Sequence, residues 1–488
     1  MKEDESLQLF SNKAFSEDYP PNEDYLKLSE FVVEYAGGLP LALKALGSFL
    51  CGRSKAEWID ALDRLKQIPD NDILQVLKIS YDGLTNEEEK TIFLDIACLF
   101  KGWQKKYVTQ ILESCGLHAT IGINVLIQKT LLVETKNCRL EMHDLLQELG
   151  RTIVQQESPN DVRKRSRLWK FEDIKEVLEN NEGSEAIEAI VIRDRYYHMP
   201  DKIKVHPEAF LKMSNIRLLF INLMGDNLFI FTRGLKFFAG GLKVVQWPSF
   251  PLEALPLETP LYKLVDIQMP ESKIKQLWND IQFMTKLKYI NLSYSHDFTE
   301  TPDFSGVPYL EHLHLSGCKS LVKVHSSLGQ LKGLIEVYLD GCGNLEILPE
   351  KLETNSLMKF DLSGCKKVAV LPEFGEGMKK LSYLNVSDTA ITTLPESPGN
   401  KLLKTGITRQ ISCFNVTSLI ELYLSLCGLN DGSIPDGFGN LSSLIVLDLR
   451  GNHFVNLPTN CFSGLSRLLF LSFDHCTSLK SLPRFPPQ

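Results

Sequence analysis

Leu310-Glu311-His312-Leu313-His314-Leu315-Ser316-Gly317-Cys318, followed 24 residues later by Leu334-Ile335-Glu336-Val337-Tyr338-Leu339-Asp340-Gly341-Cys342, decides the fold of this chain. Both stretches carry apolar residues at their first, fourth and sixth positions. The same pattern starts at Ile216, Leu242, Leu264, Leu287, Leu310, Leu334, Leu357, Leu381, Leu419, Leu444 and Leu468. The steps are 22 to 26 residues except one of 38, from Leu381 to Leu419, which equals one repeat plus an insertion of about 14. A period of this length marks a stacked array whose units bury their apolar faces only against one another.

The unit is the leucine-rich repeat, and it predicts an α/β solenoid over 186–488 with about 11 repeats. Alternate side chains of a strand point to opposite faces, so the fourth and sixth positions enter a common core and the residues between them face outward. Stacking then predicts two outward columns. One runs Asn291, His314, Tyr338, Asp361, Asn385, Tyr423, Asp448 and Ser472; its neighbour runs Tyr289, His312, Glu336, Lys359, Tyr383, Glu421, Val446 and Phe470. Aromatic and hydrogen-bonding residues mixed along a curved face suit protein recognition, with a merely solvated face as the alternative. Tyr289, His314, Tyr338, Tyr383, Tyr423 and Phe470 are the candidate partner-binding residues.

Three residues beyond each last strand leucine stand Cys318, Cys342, Cys365, Cys427, Asn452 and Cys476, where a small buried side chain must satisfy turning backbone. Eleven cysteines without a CxxC pair, three of them at repeat spacing, argue for that filler role and against disulfides or zinc, and no metal ligand is expected. Leu-Pro pairs at 348–349, 371–372, 394–395, 457–458 and 482–483 are expected to supply a core leucine and a fixed turn that opposes helix. The insertion, Glu396–Ser418, is expected to leave the solenoid as a surface loop. The last repeat ends without an evident polar cap, which predicts association of the isolated chain.

The first 185 residues follow helical periods instead. Helices are predicted around Tyr25–Tyr35, from Pro40 after a glycine stop, and over Ile73–Tyr81, Glu87–Phe100 and Lys105–Ser114. A hairpin of Leu131-Leu132-Val133 with Leu140-Glu141-Met142 and a helix from about Asp144 to Gln156 suggest a winged-helix unit. The expected boundaries are a helical part at 1–68 and a winged-helix part with its linker at 69–185.

Four motifs stand in order ahead of the repeats: Gly38-Leu39-Pro40-Leu41-Ala42-Leu43, Phe93-Leu94-Asp95-Ile96-Ala97-Cys98, Met142-His143-Asp144-Leu145-Leu146 and Arg167-Leu168-Trp169. The ordered set resembles plant intracellular immune receptors, disease resistance proteins of the TIR-NB-ARC-LRR type; Gln147-Glu148-Leu149-Gly150-Arg151 points to the TIR class. The resemblance implies a non-enzymatic defence receptor in innate immunity, whose repeats recognise a pathogen effector or host protein and whose NB-ARC module switches with ADP. It also implies that Pro40 packs near the adenine of ADP and that His143 reaches its β-phosphate. A histidine at a helix start can donate to a phosphate oxygen. In bland readings Pro40 is a first-turn helix residue, Asp144 an N-cap and His143 a local hydrogen-bonding group.

The phosphate loop G-x-x-x-x-G-K-[ST] does not occur here. The stretch is therefore expected to be a receptor lacking its TIR and P-loop parts, without NAD cleavage or nucleotide hydrolysis. The alternatives are an incomplete gene model and a truncated adaptor or decoy that binds other receptors without nucleotide, so the cofactor is either ADP or none. HExxH, GxSxG and HRD are absent too, and no catalytic residue is expected.

The composition, 43% apolar and 23% charged over 488 residues, is that of a globular protein. The net charge of −8 is uneven: residues 1–185 hold 23 Lys+Arg against 32 Asp+Glu, and 186–488 hold 30 against 29. That balance opposes nucleic-acid binding. No apolar stretch reads as a signal peptide or membrane span, which opposes an extracellular receptor despite its N-x-S/T sequons. The expected location is the cytoplasm. The run Arg163-Lys164-Arg165-Ser166-Arg167 is a nuclear-import signal, a phosphate patch or part of the Arg-Leu-Trp structure.

Overall fold

Asn22 starts a helix because its side chain accepts the Tyr25 N–H at 3.0 Å, and Gly37 ends that helix, Glu23–Ala36, by taking φ +50°. The next helix opens on Pro40, whose fixed φ suits a first turn, and runs to Leu50. These elements come from a computed structural model that describes residues 3–15, 19–38, 40–67, 71–193, 202–222, 229–375, 377–392, 416–431, 433–434 and 436–484. The chain divides into two compact units, Met1–Ile174 with Ala186–Ala189, and Lys175–Glu185 with Ile190–Gln488.

In the first unit, helices Glu3–Ala14, Glu23–Ala36 and Pro40–Leu50 gather around Trp58 of the helix Lys55–Gln67, and the helix Asn71–Asp82 packs on Pro40–Leu50. The Trp58 indole packs against Phe10, Phe15 and Tyr25 with ring centroids 5.1–5.9 Å apart, and its N–H donates to the Leu50 carbonyl at 2.9 Å. Asn86 caps the helix Glu87–Asp95, whose first turn carries three glutamates as the helix dipole favours. That helix does not run on unchanged to Phe100: the ladder widens into a π-turn at Ile96–Phe100. Helices Lys105–Ser114 and Ala119–Gln128 lead to the wing, two antiparallel strands with Val133 opposite Glu141 and Glu134 opposite Leu140, and then to the helix Asp144–Glu157. The helix-rich unit thus ends in a winged-helix fold.

The second unit is the repeat solenoid. Eleven short parallel strands lie side by side from Leu218–Asn222 to Phe470–Ser472, each pair in register from repeat to repeat. A further strand, Ala189–Arg193, adjoins Leu218–Asn222. Ile187, Ile190 and Ile192, all buried, form a twelfth copy of the pattern. Its 29-residue step to Ile216 and its lack of leucine hid it from the periodicity.

The core is a stack of identical positions: Leu313, Val337, Phe360, Leu384, Leu422 and Leu447 are all at most 2% exposed. Among the described residues the helical turns of the return segments are 3-10, Ser326–Gln330 and Asp436–Asn440, and a short parallel pair, Lys351–Leu352 with Glu373–Phe374, joins neighbouring returns. Beside the core runs a ladder of thiols. Cys318, Cys342, Cys365, Cys427 and Cys476 each donate from Sγ to a carbonyl one repeat back, at 3.1–3.2 Å. Asn452 serves the same turn with more bonds, accepting from the Cys427 and Leu429 N–H groups and donating to the Leu424 and Leu449 carbonyls. A buried turn must pair its backbone groups, and a small donor at this position does so.

Two expectations are corrected. Leu371 and Leu457 are buried, but Leu348 is only half-buried beside a buried Pro349, and Leu482 is exposed while Pro483 is buried. At those pairs the proline ring fills the inside of the extended return segment, and Leu394-Pro395 lies outside the described residues. The insertion also ends earlier than Ser418. Residues 396–415 lie outside the described residues, but Val416 is in the core and Ser418 Oγ donates to the Leu381 carbonyl at 2.8 Å. The ladder passes over the insertion without a break, since Tyr383 stands opposite Glu421.

Candidate functional site

The two predicted columns form the strand face of the solenoid, residue for residue: Tyr289, His312, Glu336, Lys359, Tyr383, Glu421, Val446 and Phe470 in one, and Asn291 to Ser472 in the other. Near its middle the face is a continuous set of rings and charges. The Tyr289 ring stacks on His312 at 4.6 Å and 9°, and His314 meets the Tyr338 ring edge-on at 4.9 Å. Glu336 lies between: Oε2 stands 3.2 Å from His312 Nδ1 and 3.8 Å from His314 Nε2, and Oε1 stands 3.3 Å from Lys359 Nζ. Burial opposes the charged form of Glu336, but Lys359 and His312 outweigh it and hold the carboxyl below its usual range. Burial lowers the pKa of His314 and so favours neutral imidazole.

Further along, Asp361 accepts from the Tyr383 hydroxyl at 2.9 Å and from Asn385 Nδ2 at 3.3 Å. The Tyr423 ring lies 5.6 Å from Tyr383. Burial and the bond its hydroxyl donates to Glu421 push the Tyr423 pKa up to about 12. Phe470 is 49% exposed.

The columns are less open than alternation alone implies. Asp361, Asp448 and Ser472 are buried, Asp361 beneath the Tyr383 and Asn385 bonds and Asp448 beneath a fork of contacts from Arg450. Short strands stacked in register bring each side chain against its neighbours one repeat away, and long side chains cover short ones. His312, Glu336 and Lys359 join the central cluster although they were not among the candidates. The His-x-His spelling of one strand was the available signal. A separate surface groove of about 810 Å³ lies among return segments, lined by Lys323, His325, Gln330, Lys332, Lys351 and Glu353.

In the first unit the four motifs meet. Arg167 of Arg-Leu-Trp donates from Nε to Oδ1 of Asp95 at 2.7 Å, both side chains being buried. Gln147 Nε2 donates to the Ala97 carbonyl at 3.0 Å, and Gly150 packs so closely that a Cβ there would stand 2.5 Å from Cβ of Ala97. The basic run is therefore partly structural: Arg165 bonds Asp173 at 3.1 Å and Arg163 bonds Asp161 at 2.7 Å.

His143 is itself the N-cap of the helix Asp144–Glu157, its Nδ1 accepting the Leu145 N–H at 3.1 Å, so Asp144 is the first helical residue and not the cap. Asp144 pairs with Lys101, which holds its carboxyl below the usual range. The other edge of the imidazole lies on the glycine turn before Pro40, where a Cβ at Gly37 would stand 2.6 Å from Nε2. Pro40 is exposed at the start of its helix. The turn and the histidine are thus brought together, with Nδ1 engaged by the Leu145 N–H and Nε2 facing Gly37.

Residues 86–158 match the family described as a disease resistance protein Roq1-like winged-helix domain, and residues 263–282 and 418–441 match leucine-rich-repeat families. The chain is similar to TMV resistance protein N of Nicotiana glutinosa, at 32% identity over 99% of this chain and 48% of that protein. It is similar to disease resistance-like protein DSC1 of Arabidopsis thaliana, at 31% identity over 99% of this chain and 47% of that protein. Among solved structures, YopM from Yersinia enterocolitica matches at 16% identity and a TM-score of 0.37, over 62% of this chain and 58% of that one. The chain spans about half the length of the curated relatives it matches. No helix among the described residues is long and apolar enough to cross a membrane.

Proposed function

The chain belongs to the plant disease resistance proteins, and from that premise we propose that it is the recognition and switch region of a non-enzymatic immune receptor acting in the cytoplasm. Its repeats take a protein ligand, a pathogen effector or a host protein, on the strand face. The observation that carries this reading is the set of rings on that face: Tyr289 stacked on His312, His314 edge-on to Tyr338, and Tyr383 beside Tyr423, whose hydroxyls donate to Asp361 and Glu421. Rigid aromatic groups with polar tips give contact area at small entropic cost, as protein interfaces need. Replacing Tyr338 and Tyr423 together by alanine is expected to weaken capture of effector or helper proteins in a pull-down. Undiminished capture would remove this face from the account.

The switch reading rests on the contact between His143 and the glycine turn before Pro40. The ring that would answer ADP rests against that turn, Nδ1 accepting the Leu145 N–H and Nε2 facing Gly37. The local capping role of Nδ1 favours a second reading, an adaptor or decoy that binds other receptors through its repeats without nucleotide. Calorimetric titration of ADP into the chain beside a His143→Ala variant separates the two. Binding lost in the variant supports the switch, and no heat from a folded wild type supports the adaptor.

A further inference from the structure

We propose that His312, His314 and Glu336 form a binding site for a divalent transition-metal ion of the zinc type on the strand face of the repeats. Two histidines two residues apart on one strand present their rings on the same side. Glu336 stands opposite His312 in the parallel register of the next strand, so its carboxylate reaches the same spot. Among the described residues these three are the one group of His, Cys, Asp and Glu whose ligand atoms all lie within 4.8 Å of one another.

The spacing suits the ion. Zinc binds imidazole nitrogen and carboxylate oxygen at roughly 2.0–2.1 Å in tetrahedral geometry, which puts two ligand atoms about 3.3 Å apart. The two histidine–glutamate separations, 3.2 and 3.8 Å, bracket that value without any ion to draw the groups in. His314 Nε2 is buried with no hydrogen-bond partner among the described residues, a state that an unused donor atom rarely keeps. The supporting shell is also present: Tyr289 stacks on one imidazole, Tyr338 fixes the other, and Lys359 holds the far oxygen of Glu336 while Oε2 faces the rings. Two imidazoles with one carboxylate favour zinc, cobalt, nickel or copper over magnesium or calcium, which take oxygen ligands. Three protein ligands leave a fourth position for water or a side chain of a bound protein. The site does not depend on the partner-binding reading, and either can fail alone.

The test is calorimetric titration of zinc chloride into the full chain carrying Cys51→Ser and Cys138→Ser, which removes two exposed thiols. One ion is expected to bind per chain, at least tenfold more weakly after His314→Gln or Glu336→Gln, with circular dichroism unchanged. Binding of equal strength in both variants overturns the proposal. Should the variants fail to fold, cobalt(II) titration of the Cys51→Ser, Cys138→Ser chain decides. Visible d–d absorption without thiolate charge-transfer bands supports the site, and thiolate bands or no visible absorption overturn it.

Discussion

Arg167 Nε lies 2.7 Å from Asp95 Oδ1, and the two side chains, 3% and 0% exposed, are 72 residues apart in sequence. The ion pair ties the segment after the winged helix to the last turn before the π-turn. Breaking one partner of such a pair strands the other charge in the core. Arg167→Leu is therefore expected to destabilise the first unit by about 3–5 kcal/mol, and Arg167→Lys to lose most of the same bond, because a point charge cannot reproduce the guanidinium fork. Urea denaturation of both variants checks this, and a loss below ~1 kcal/mol for Arg167→Leu would contradict it.

Gly37 and His143 can be tested as a pair. Alanine at Gly37 must hold φ +50° and place Cβ against Nε2, so Gly37→Ala is expected to cost about 1–3 kcal/mol. Part of that cost should vanish in a His143→Ala background, where the ring is gone and only the backbone strain remains. A double-mutant cycle with additive losses would show that the two residues do not press on each other.

Gly150 offers a cleaner steric case, since its backbone is ordinary helix. Gly150→Ala meets Cβ of Ala97 at 2.5 Å. Helix propensity alone would make it stabilising by ~1 kcal/mol, so a measured loss reports the close approach. Ala97→Gly should restore the Gly150→Ala variant in thermal melting.

Asp266 precedes Tyr289 in the strand register and is buried, with Gln268 Nε2 donating to it at 2.8 Å. Burial raises its pKa to about 7, above its unfolded value. A carboxyl raised in the folded state binds its proton more tightly there, so its contribution is fully present below about pH 4 and is lost as pH rises through 7. Asp266→Asn should raise the melting temperature of the repeats at pH 8, by an effect of order 1–4 kcal/mol, with little change near pH 4. A variant whose difference from wild type is the same at both pH values would count against a protonated Asp266.

The thiols divide by burial. Cys318 and Cys98 have pKa values pushed up to about 12 by burial, whereas Cys51 and Cys138 are exposed. Iodoacetamide on the native chain should label Cys51 and Cys138 first, and Cys318 only after denaturant is added. Mass spectrometry of the digested protein reads this directly, and early labelling of Cys318 would mean that the thiol ladder opens in the native state.

Much of the site was legible because a strand repeats its direction every two residues and the array repeats its register every unit. Those two periods alone place Tyr289 beside His312 and His314 beside Tyr338. What they left out are contacts that depend on side-chain length and rotamer. Nothing in the spacing says that Tyr383 covers Asp361, or that Glu336 turns one oxygen to the histidines and the other to Lys359. The motifs of the first unit show the same division. Their order pointed to the family, but their mutual contacts, Gly150 on Ala97 and Gly37 on His143, join residues 53 and 106 positions apart.

The sequence by itself determined the solenoid, its strand columns and the winged-helix class, because each follows from local periodicity and from turn residues with few conformations. Only the tertiary structure decided which column residues are buried, which proline closes a turn in place of its leucine, and which turn the His143 ring lies against. These depend on neighbours distant in sequence whose packing sets distance and solvation, and periodicity carries no record of either.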